Sequence, residues 1–278
     1  MRLDLVIPNE GAFSLEAVQA CPAFESMGYE GLWFTDHVVG QRAYTVYGAY
    51  WLEIMNVLAY VAARTTTIRL GTGVLVVPYR DPVLAAKQLA TLDVLSGGRV
   101  DLGVGTGWSK GEFHALGRGH LFEKRGAFTN EALDVMLRCW QGGEFGFEGD
   151  WVNFRRLDFE PVPVQQPRIP IWIGSLGAAK APLLRAAKYA DVWHPGQMSP
   201  QELVDGSKLL NDMAGREIPI SIRIQYPADT DTRSVVDDLA RFRDAGCIQA
   251  AVEFKASTNG DLHRAAERLA EKADELRR

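Results

Sequence analysis

Asp36 and His37 are the residues in this sequence whose types are best suited to acid–base chemistry. They stand in the stretch GLWFTDHVV, at the end of an apolar run over 31–36. An imidazole changes its protonation state near neutral pH, so His37 could donate a proton or orient a substrate. A lone histidine near the end of a strand is more often structural than catalytic, and the residue type alone leaves both interpretations open.

Glycine-bearing segments mark three other apolar runs: RLGTGVLVV (69–77), GVGTGWSKGEF (103–113) and IGSLGAAK (173–180). Glycine weakens a strand, so bare backbone indicates that another group comes close. Where glycines lead into a helix, the free N–H groups can bind an anion; the alternative is an ordinary turn. Three such segments at one rim favour a bound cofactor, with the candidate contacts Gly105, Thr106, Gly107, Gly174, Ser175, Leu176 and Gly177.

The sequence predicts no metal site. His114 and His120 are six residues apart in an expected loop, and the first apolar run ends in VIPNEG rather than in an HxH pair. His194 and His263 add no ligand cluster. Three separated cysteines without CxxC spacing are expected to be reduced, buried thiols: Cys21, Cys139 and Cys247.

These residues must be positioned by a repeated pattern of apolar runs and helical segments. The runs cover 3–8, 31–36, 68–76, 100–106, 169–174, 190–195, 218–227 and 249–254. Helical periodicity covers 15–27, 52–63, 83–95, 129–140, 178–189, 201–213, 233–244 and 261–276. Near-continuous apolar strands that alternate with helices predict an α/β fold, a (β/α)8 TIM barrel. A doubly wound open sheet is disfavoured, since MRLDLVIPNEGAF has no G-x-G-x-x-G.

We expect one domain over 1–278 with an insertion at about 108–168, between strands 4 and 5. Within it, the aromatic–polar alternation around Glu148-Gly149-Asp150 predicts a small hairpin, followed by a proline-rich connector. In a TIM barrel the active site lies at the carboxyl ends of the strands, where Asp36, His37 and the glycine segments are found.

Composition excludes several classes of function. The chain has 278 residues and a net charge of −5, which does not favour nucleic-acid binding or a membrane surface. No run reaches the roughly 18 apolar residues of a transmembrane helix, and the N-terminus has no signal-peptide pattern. We expect a cytoplasmic protein.

Four segments together resemble the bacterial-luciferase-like flavin and deazaflavin oxidoreductases. They are TDHVV, the run from Thr65 to Trp108, RGAFTNEALDVMLRCWQG and PRIPIWIGS. The similarity spans roughly residues 1–200 and is greatest to the branch that uses the deazaflavin coenzyme F420; FMN-dependent monooxygenases share much of the pattern.

The resemblance implies a cis peptide bond between Gly73 and Val74, in a bulge that backs the ring system of the cofactor. It also places Asp36 at the polar edge of the ring and His37 beside the reactive ring carbon, as proton donor or substrate orienter. His194 is expected to flank the anionic tail of the cofactor. We interpret Arg80 and Lys180 as surface charges.

One position departs from the family pattern. Some deazaflavin dehydrogenases carry a catalytic glutamate after the GTG of strand four, and this sequence has Trp108 there. Glu53 and Glu112 are possible replacement acids, although each is more typical of a helix surface or cap. Trp108, Glu53 and two tyrosines near the loop Val38–Ala49, Tyr44 and Tyr50, are the predicted walls of the substrate pocket.

The function implied is an F420-dependent oxidoreductase that transfers a hydride between the deazaflavin and a small organic substrate. The alternatives are an FMN-dependent luciferase-like monooxygenase and a non-catalytic flavin- or deazaflavin-binding protein. By analogy with the family, we expect a homodimer.

Overall fold

Eight parallel strands close into a barrel in the structure, a computed structural model that describes residues 1–40 and 49–277. Neighbours around the barrel are β1, β2, β3 with its continuation β4, β5, β8, β9, β10 and β11, which pairs with β1. The bounds are β1 Arg2–Val6, β2 Gly31–Phe34, β3 Arg69–Thr72, β4 Leu75–Val76, β5 Val100–Gly105, β8 Ile171–Leu176, β9 Val192–Gly196, β10 Ile220–Pro227 and β11 Cys247–Lys255. The predicted TIM barrel is confirmed.

The third predicted strand, 68–76, is divided by a break at Gly73 and Val74. β3 pairs with β2 before the break, and β4 pairs with β5 after it. The peptide bond between Gly73 and Val74 is cis, as the resemblance implied. The break therefore interrupts the strand at the end of the barrel where the glycine segments lie.

The helices surround the barrel and bury their apolar sides against it. They are α1 Ser14–Gln19, α2 Cys21–Ser26, α3 Ile54–Arg64, α4 Pro82–Ser96, α5 Lys110–Ala115, α6 Arg125–Cys139, α7 Lys180–Tyr189, α8 Pro200–Ala214, α9 Thr232–Asp244, α10 Asn259–Ala270 and α11 Ala273–Arg277. Two predicted helices, 15–27 and 261–276, are each divided in two. Residues Val77–Tyr79 and Gly119–Lys124 form 3₁₀ turns.

Local sequence explains where α4 and α8 begin and end. Asp81 accepts hydrogen bonds from two N–H groups in the first turn of α4, Pro82 follows it, and Gly97 ends the helix at φ 69°. Ser199 and Glu202 form a capping box at the start of α8.

The insertion contains α5, α6 and an antiparallel hairpin of β6 (Gly143–Glu148) and β7 (Asn153–Phe159). The hairpin confirms the prediction around Glu148–Asp150. Its tip is tied to α6 because Glu131 accepts the backbone N–H groups of residues 150–152 at 2.7–2.9 Å. α5 was not predicted from the sequence, and it carries a residue of the candidate site.

The amino-terminal half of the barrel is closed by charged and aromatic side chains. Asp4 accepts hydrogen bonds from Arg2 and from the indole of Trp33, and Arg2 also pairs with Asp101 at 3.0 Å. The ring of Trp33 fills the space above Gly71, where a Cβ would lie 2.4 Å from the indole. The glycine of this strand is therefore required by a tryptophan and not by a ligand. None of the helices among residues 1–40 and 49–277 is long and apolar enough to cross a membrane.

Candidate functional site

A cavity of about 680 Å³ opens at the carboxyl ends of the barrel strands. Twelve predicted site residues contribute to its wall: Asp36, His37, Gly73, Val74, Gly105, Thr106, Gly107, Trp108, Gly174, Ser175, Leu176 and His194. The volume lies within the range of about 300–1,000 Å³ that is usual for small-molecule and cofactor sites.

Val74 occupies the space that two glycines leave open. A Cβ added at Gly105 would lie 2.3 Å from Cγ2 of Val74, and a Cβ added at Gly174 would lie 2.5 Å from its Cγ1. Each methyl group of the valine is thus seated over the backbone of a neighbouring strand, β5 or β8. Gly105 and Gly174 therefore admit a protein side chain, which makes Val74 a fixed apolar surface in the cavity.

Gly107 has a different requirement. Its φ of 75° lies in the left-handed region, and a Cβ there would lie 2.6 Å from Cγ1 of Val76. Both facts favour glycine, since other residues rarely adopt this conformation. The turn after β5 can therefore fold closely over β4.

His37 is held by a buried carboxylate from the insertion. Its Nδ1 lies 2.8 Å from Oε2 of Glu112, a residue of α5 that is 1% exposed. Glu112 also accepts the hydroxyl of Tyr79 at 3.0 Å and the backbone N–H of Val38 at 2.7 Å. Burial raises the pKa of Glu112, but the hydrogen bonds from His37, Val38 and Tyr79 outweigh this effect and hold the pKa below its ordinary value.

The ionised carboxylate fixes the histidine tautomer. A carboxylate can only accept hydrogen bonds, so Nδ1 of His37 must carry a hydrogen atom. Nε2 is then the nitrogen that can take up or release a proton. The sequence interpretation of Glu112 as a helix-surface or capping residue is wrong, because the residue is buried and contacts the candidate catalyst.

Two tryptophans flank the imidazole of His37. The ring centroid of Trp51 lies 4.5 Å from that of His37, and the centroid of Trp108 lies 5.7 Å away at an interplanar angle of 72°. Both indoles contribute to the cavity wall, and Trp108 is half-exposed at the mouth. They give the region around the histidine an apolar, aromatic surface.

Asp36 is buried and forms an ion pair with Arg80. It is 2% exposed, and its oxygens accept from Arg80 at 2.5 and 2.9 Å and from the backbone N–H of Val76 at 2.8 Å. Arg80 also pairs with Glu53 at 3.0 Å. Burial alone would lower the pKa of Arg80, but the two carboxylates raise it above its ordinary value. Arg80 is therefore an internal cation, and its interpretation as a surface charge is wrong.

Glu53 belongs to the same scaffold. Its carboxylate caps α3 by accepting the backbone N–H of Asn56 at 2.9 Å, and it is not among the described residues that line the cavity. The prediction that Glu53 forms a wall of the substrate pocket is thus not met by the geometry. Together, Glu53, Arg80 and Asp36 hold the segment after the Gly73–Val74 break in place.

The opposite part of the wall, from β10 and β11, is charged. Arg223 donates to the carbonyl oxygen of Gly73 and pairs with Glu253 at 2.7 Å; Lys255 also contacts Glu253. Burial raises the pKa of Glu253, but Arg223 and Lys255 outweigh it and lower the pKa to about 2. Glu10, at the end of this wall, has its pKa raised by burial and by the nearby Glu253.

His194 lies in the barrel interior at the base of the cavity. Its ring is stacked on Trp33 with centroids 4.8 Å apart, and Nδ1 lies 2.7 Å from the hydroxyl of Ser221. Nε2 is buried and has no hydrogen-bond partner among the described residues. Burial, with the positive charges of Arg223 and Arg2, lowers the pKa of His194 to about 3. The imidazole of His194 is therefore neutral and forms part of the floor of the cavity. Its predicted contact with a cofactor remains a prediction.

The turn between β8 and α7 was predicted to hold an anion. The hydroxyl of Ser175 donates to the carbonyl of Gly177 at 2.8 Å and accepts from the indole of Trp193 at 3.1 Å. Gly177 adopts φ 65° and is absent from the described cavity wall, whereas Leu176 is 73% exposed at the rim. The Ser175 hydroxyl therefore shapes the turn, and only backbone groups remain for a ligand.

A model of the family described as luciferase-like monooxygenase matches residues 10–278 of this chain. The chain belongs to that family. The sequence resemblance to luciferase-like oxidoreductases is confirmed by this match.

The chain is similar to several further proteins, of which three are described. An uncharacterised protein of Mycobacterium tuberculosis is 34% identical over 211 residues, 75% of this chain and 69% of the relative. An FMNH(2)-dependent dimethylsulfone monooxygenase of Pseudomonas putida is 33% identical over 143 residues, 51% of this chain and 38% of that protein. The fold of an F420-dependent secondary alcohol dehydrogenase, solved with an F420–acetone adduct, matches with a TM-score of 0.84 at 16% identity, covering 100% of this chain and 99% of that one.

Two of the residues predicted to form the substrate pocket are not among the described residues of the cavity wall. Tyr50 is 54% exposed and is not among the described wall residues, and Tyr44 lies outside the described residues, as does its neighbour Tyr47. Sequence reasoning missed other wall residues, including Glu10, Trp51, Tyr79, Arg185, Gln197, Arg223, Gln225, Glu253 and Lys255. A signal existed for three of them, since Arg223, Gln225 and Glu253 are polar residues near the carboxyl ends of otherwise apolar runs.

In the described parts of the chain, no group of three or more histidine, cysteine, aspartate or glutamate side chains is arranged to hold a metal ion. The three cysteines are free and buried, and burial raises the pKa of each thiol.

Proposed function

We propose that this protein is an oxidoreductase that binds coenzyme F420 and transfers a hydride between the deazaflavin and a small organic substrate. The observation that carries the proposal is the histidine–carboxylate pair of His37 and Glu112, which shares one cavity with the apolar surface of Val74. The F420-dependent dehydrogenase of the same fold supports the cofactor class.

The cavity fits a flat ring with an extended tail. Val74 offers two methyl groups that are already seated against Gly105 and Gly174, so the surface cannot collapse into the barrel. Arg223 holds the carbonyl of Gly73, which fixes the neighbouring backbone. We assign the ring to this surface and the tail to the rim between β8 and α7. When bound, the deazaflavin or flavin supplies the hydride acceptor or donor.

His37 accepts or supplies the proton that accompanies hydride transfer, depending on the direction of the reaction. When a hydride leaves a carbon that bears a hydroxyl group, the hydroxyl proton must also leave, and the reverse reaction must return it. Nε2 of His37 takes or gives this proton, while Glu112 keeps Nδ1 protonated and the ring in one orientation. The hydroxyl of Tyr79 donates to Oε2 of Glu112, the same oxygen that contacts His37, and the backbone N–H of Val38 donates to Oε1.

The substrate is expected to be small and partly apolar. Trp51 and Trp108 present indole surfaces beside His37, and indoles pack well against apolar or aromatic groups. Trp108, which was predicted from the sequence, and Trp51, which was not, are the proposed substrate walls, and Glu53 and Tyr50 are not among the described wall residues.

Equilibrium binding of oxidised F420 and of FMN to the purified protein tests the cofactor. We expect F420 to bind at least tenfold more tightly, a difference of about 1.4 kcal/mol. The variant His37→Ala should keep F420 binding within about threefold but lose hydride transfer, followed by the absorbance of the deazaflavin, whereas His120→Ala at an exposed position should change neither. Absence of F420 binding would refute the assignment.

A second candidate is an FMN-dependent monooxygenase, which is favoured by the 33% identity to the dimethylsulfone monooxygenase. In that reaction reduced FMN and molecular oxygen would be consumed together. Preference for FMN by tenfold or more, with substrate-dependent oxygen uptake, would establish this candidate in place of the first.

A further inference from the structure

Glu10 is a half-buried carboxylate in the wall of the cavity, shortly after the end of β1. Its side chain makes no hydrogen bond or ion pair to another residue within 1–40 and 49–277. Burial and the nearby Glu253 raise the pKa of Glu10, because both disfavour the charged form. A cation bound beside this carboxylate would therefore be stabilised by it.

Glu253, the other acid in this part of the wall, is already compensated. Its Oε2 accepts from Nη2 of Arg223 at 2.7 Å and from the side-chain amide of Gln225 at 2.9 Å. Its Oε1 contacts the ammonium group of Lys255. The two cations of β10 and β11 are thus paired with Glu253, and in the part of the chain that is described Glu10 has no such partner.

The backbone that carries Glu10 is fixed by the residue before it. Asn9 is fully buried, and its Nδ2 donates to the carbonyl oxygens of Thr35 at 2.8 Å and of Leu52 at 2.9 Å. Its Oδ1 accepts the backbone N–H of Thr35 at 3.1 Å. The chain after β1 is therefore tied both to the end of β2 and to the segment before α3, so that Glu10 has a defined place in the wall.

An indole lies next to Glu10 in this wall. Glu10 and Trp51 form an isolated antiparallel bridge, and side chains directly opposite each other in such a pair share one face, with Cβ atoms about 4.5–5.5 Å apart. The ring centroid of Trp51 lies 4.5 Å from that of His37. A carboxylate and an indole together favour a cationic nitrogen, since the first accepts its hydrogen bonds and the second attracts its charge.

Glu10 is also remote from the rim to which the cofactor tail is assigned. In the closed ring of eight strands, β1 and β8 are four strands apart and so lie on opposite sides of the barrel. The carboxylate and an anionic tail are thereby kept apart, which limits the repulsion between their charges. The space between Glu10 and His37 is left for the substrate.

We propose that Glu10 determines substrate specificity by binding an ammonium group of the substrate, at the end remote from the carbon that reacts beside His37. The proposal rests on the proposed function and narrows its substrate class to amino alcohols and the corresponding amino ketones. The ammonium group supplies the absent positive charge and donates hydrogen bonds to the carboxylate. The apolar chain between the two ends of the substrate packs on Trp51. Glu10 binds the substrate and takes no part in the transfer of the hydride or the proton.

Pairs of probes that differ only in the charged group test the proposal on the unmodified protein. The amino alcohols are 4-aminobutan-2-ol, 5-aminopentan-2-ol and 6-aminohexan-2-ol, which cover three spacings. Their counterparts are pentan-2-ol, hexan-2-ol and heptan-2-ol, in which a methyl group replaces the ammonium group, and the matching diols. We expect calorimetry, with and without saturating oxidised cofactor, to show at least tenfold tighter binding of one amino alcohol than of both counterparts. Equal binding at all three spacings, or a diol bound as tightly as its amino alcohol, would overturn the proposal.

The variant Glu10→Gln keeps the shape of the side chain and removes its charge. It should weaken binding of the preferred amino alcohol at least tenfold and leave the methyl counterpart unchanged. Glu16→Gln is the matched control, because Glu16 is exposed on α1 and its replacement changes the net charge equally. A preference for the ammonium group that survives in Glu10→Gln would show that another acid binds it, and would refute the role of Glu10.

Binding and turnover are measured separately, so that this proposal and the proposed function can fail independently. A preference for the ammonium group that depends on Glu10, without oxidation of any probe by F420, would support the role of Glu10 and contradict the hydride-transfer function. Oxidation of the alkan-2-ols by F420, with no preference for an ammonium group, would support the function and overturn the role of Glu10.

Discussion

The seating of Val74 over two glycines predicts a specific coupling between residues 74 and 105. In Gly105→Ala the new methyl group would lie 2.3 Å from Cγ2 of Val74. Non-bonded carbons prefer a separation of at least about 3.5 Å, so an overlap of about 1.2 Å has to be relieved. Rotation of the valine does not relieve it, because its other methyl group is already seated against Gly174.

The backbone cannot readily yield either. Gly105 is paired with Val76 of β4, and β5 is also held by β8. Overpacking of this kind usually costs about 1–3 kcal/mol of unfolding free energy. For a chain of this size we expect the melting temperature to fall by about 2–12 °C.

The double variant Val74→Ala/Gly105→Ala identifies the cause. Removing both valine methyl groups frees the space for the new alanine, so the double variant should melt above Gly105→Ala. The coupling free energy from the complete cycle should be about 1–3 kcal/mol and stabilising.

Thermal unfolding of the four proteins, followed by circular dichroism, provides the measurement. Gly196→Ala is the control, since a Cβ there would lie 3.6 Å from the carbonyl of Arg223, an ordinary contact. If Gly105→Ala is as stable as the unmodified protein, or if the two substitutions are simply additive, then Val74 is not seated as described.

Three further outcomes are expected. In Glu112→Gln the carboxylate that accepts from His37 is replaced by an amide, which can also donate. We expect the rate of hydride transfer to fall about 10²-fold with cofactor affinity nearly unchanged. An unchanged turnover rate would contradict the role of the carboxylate. The low pKa of His194 means that protonation favours the unfolded chain, so stability should fall as pH drops from about 6.5 towards about 3, and His194→Gln should flatten this part of a melting-temperature profile. Burial raises the pKa of Glu25, but the hydrogen bonds from the N–H groups of residues 66–68 outweigh this effect and lower the pKa to about 2. The contribution of the ionised carboxylate to the free energy of unfolding should be present above about pH 4.5 and lost as the pH falls towards 2. Glu25→Gln should therefore melt below the unmodified protein at pH 7 and at the same temperature near pH 2.

The barrel could be predicted because its strands and helices are encoded by local patterns. Each of the eight apolar runs overlaps a barrel strand, and capping residues such as Asp81 and Ser199 mark helix starts that the periodicity locates to within one or two residues. The cis bond between Gly73 and Val74 is different, since only the family resemblance, and no local pattern, pointed to it.

The candidate site could be predicted only where it follows the ends of the strands. His37 and Trp108 were found in this way, and both line the cavity. Glu112 and Arg80 were misinterpreted because their partners are distant in sequence: Glu112 meets His37 across 75 residues, and Arg80 meets Asp36 across 44. A carboxylate next to an apolar residue in a short helix gives no local sign that it will be buried against another strand.

The contact between His37 and Glu112 also limits how this protein can be recombined with its relatives. The histidine follows β2 of the barrel frame, whereas the carboxylate belongs to α5, the first helix of the insertion. Exchange of the insertion alone would therefore separate Glu112 from His37 and break the proposed catalytic pair. We expect a chimera to be active only when residues 109–115 are transferred together with Asp36 and His37, so that one parent supplies both residues of the proposed pair.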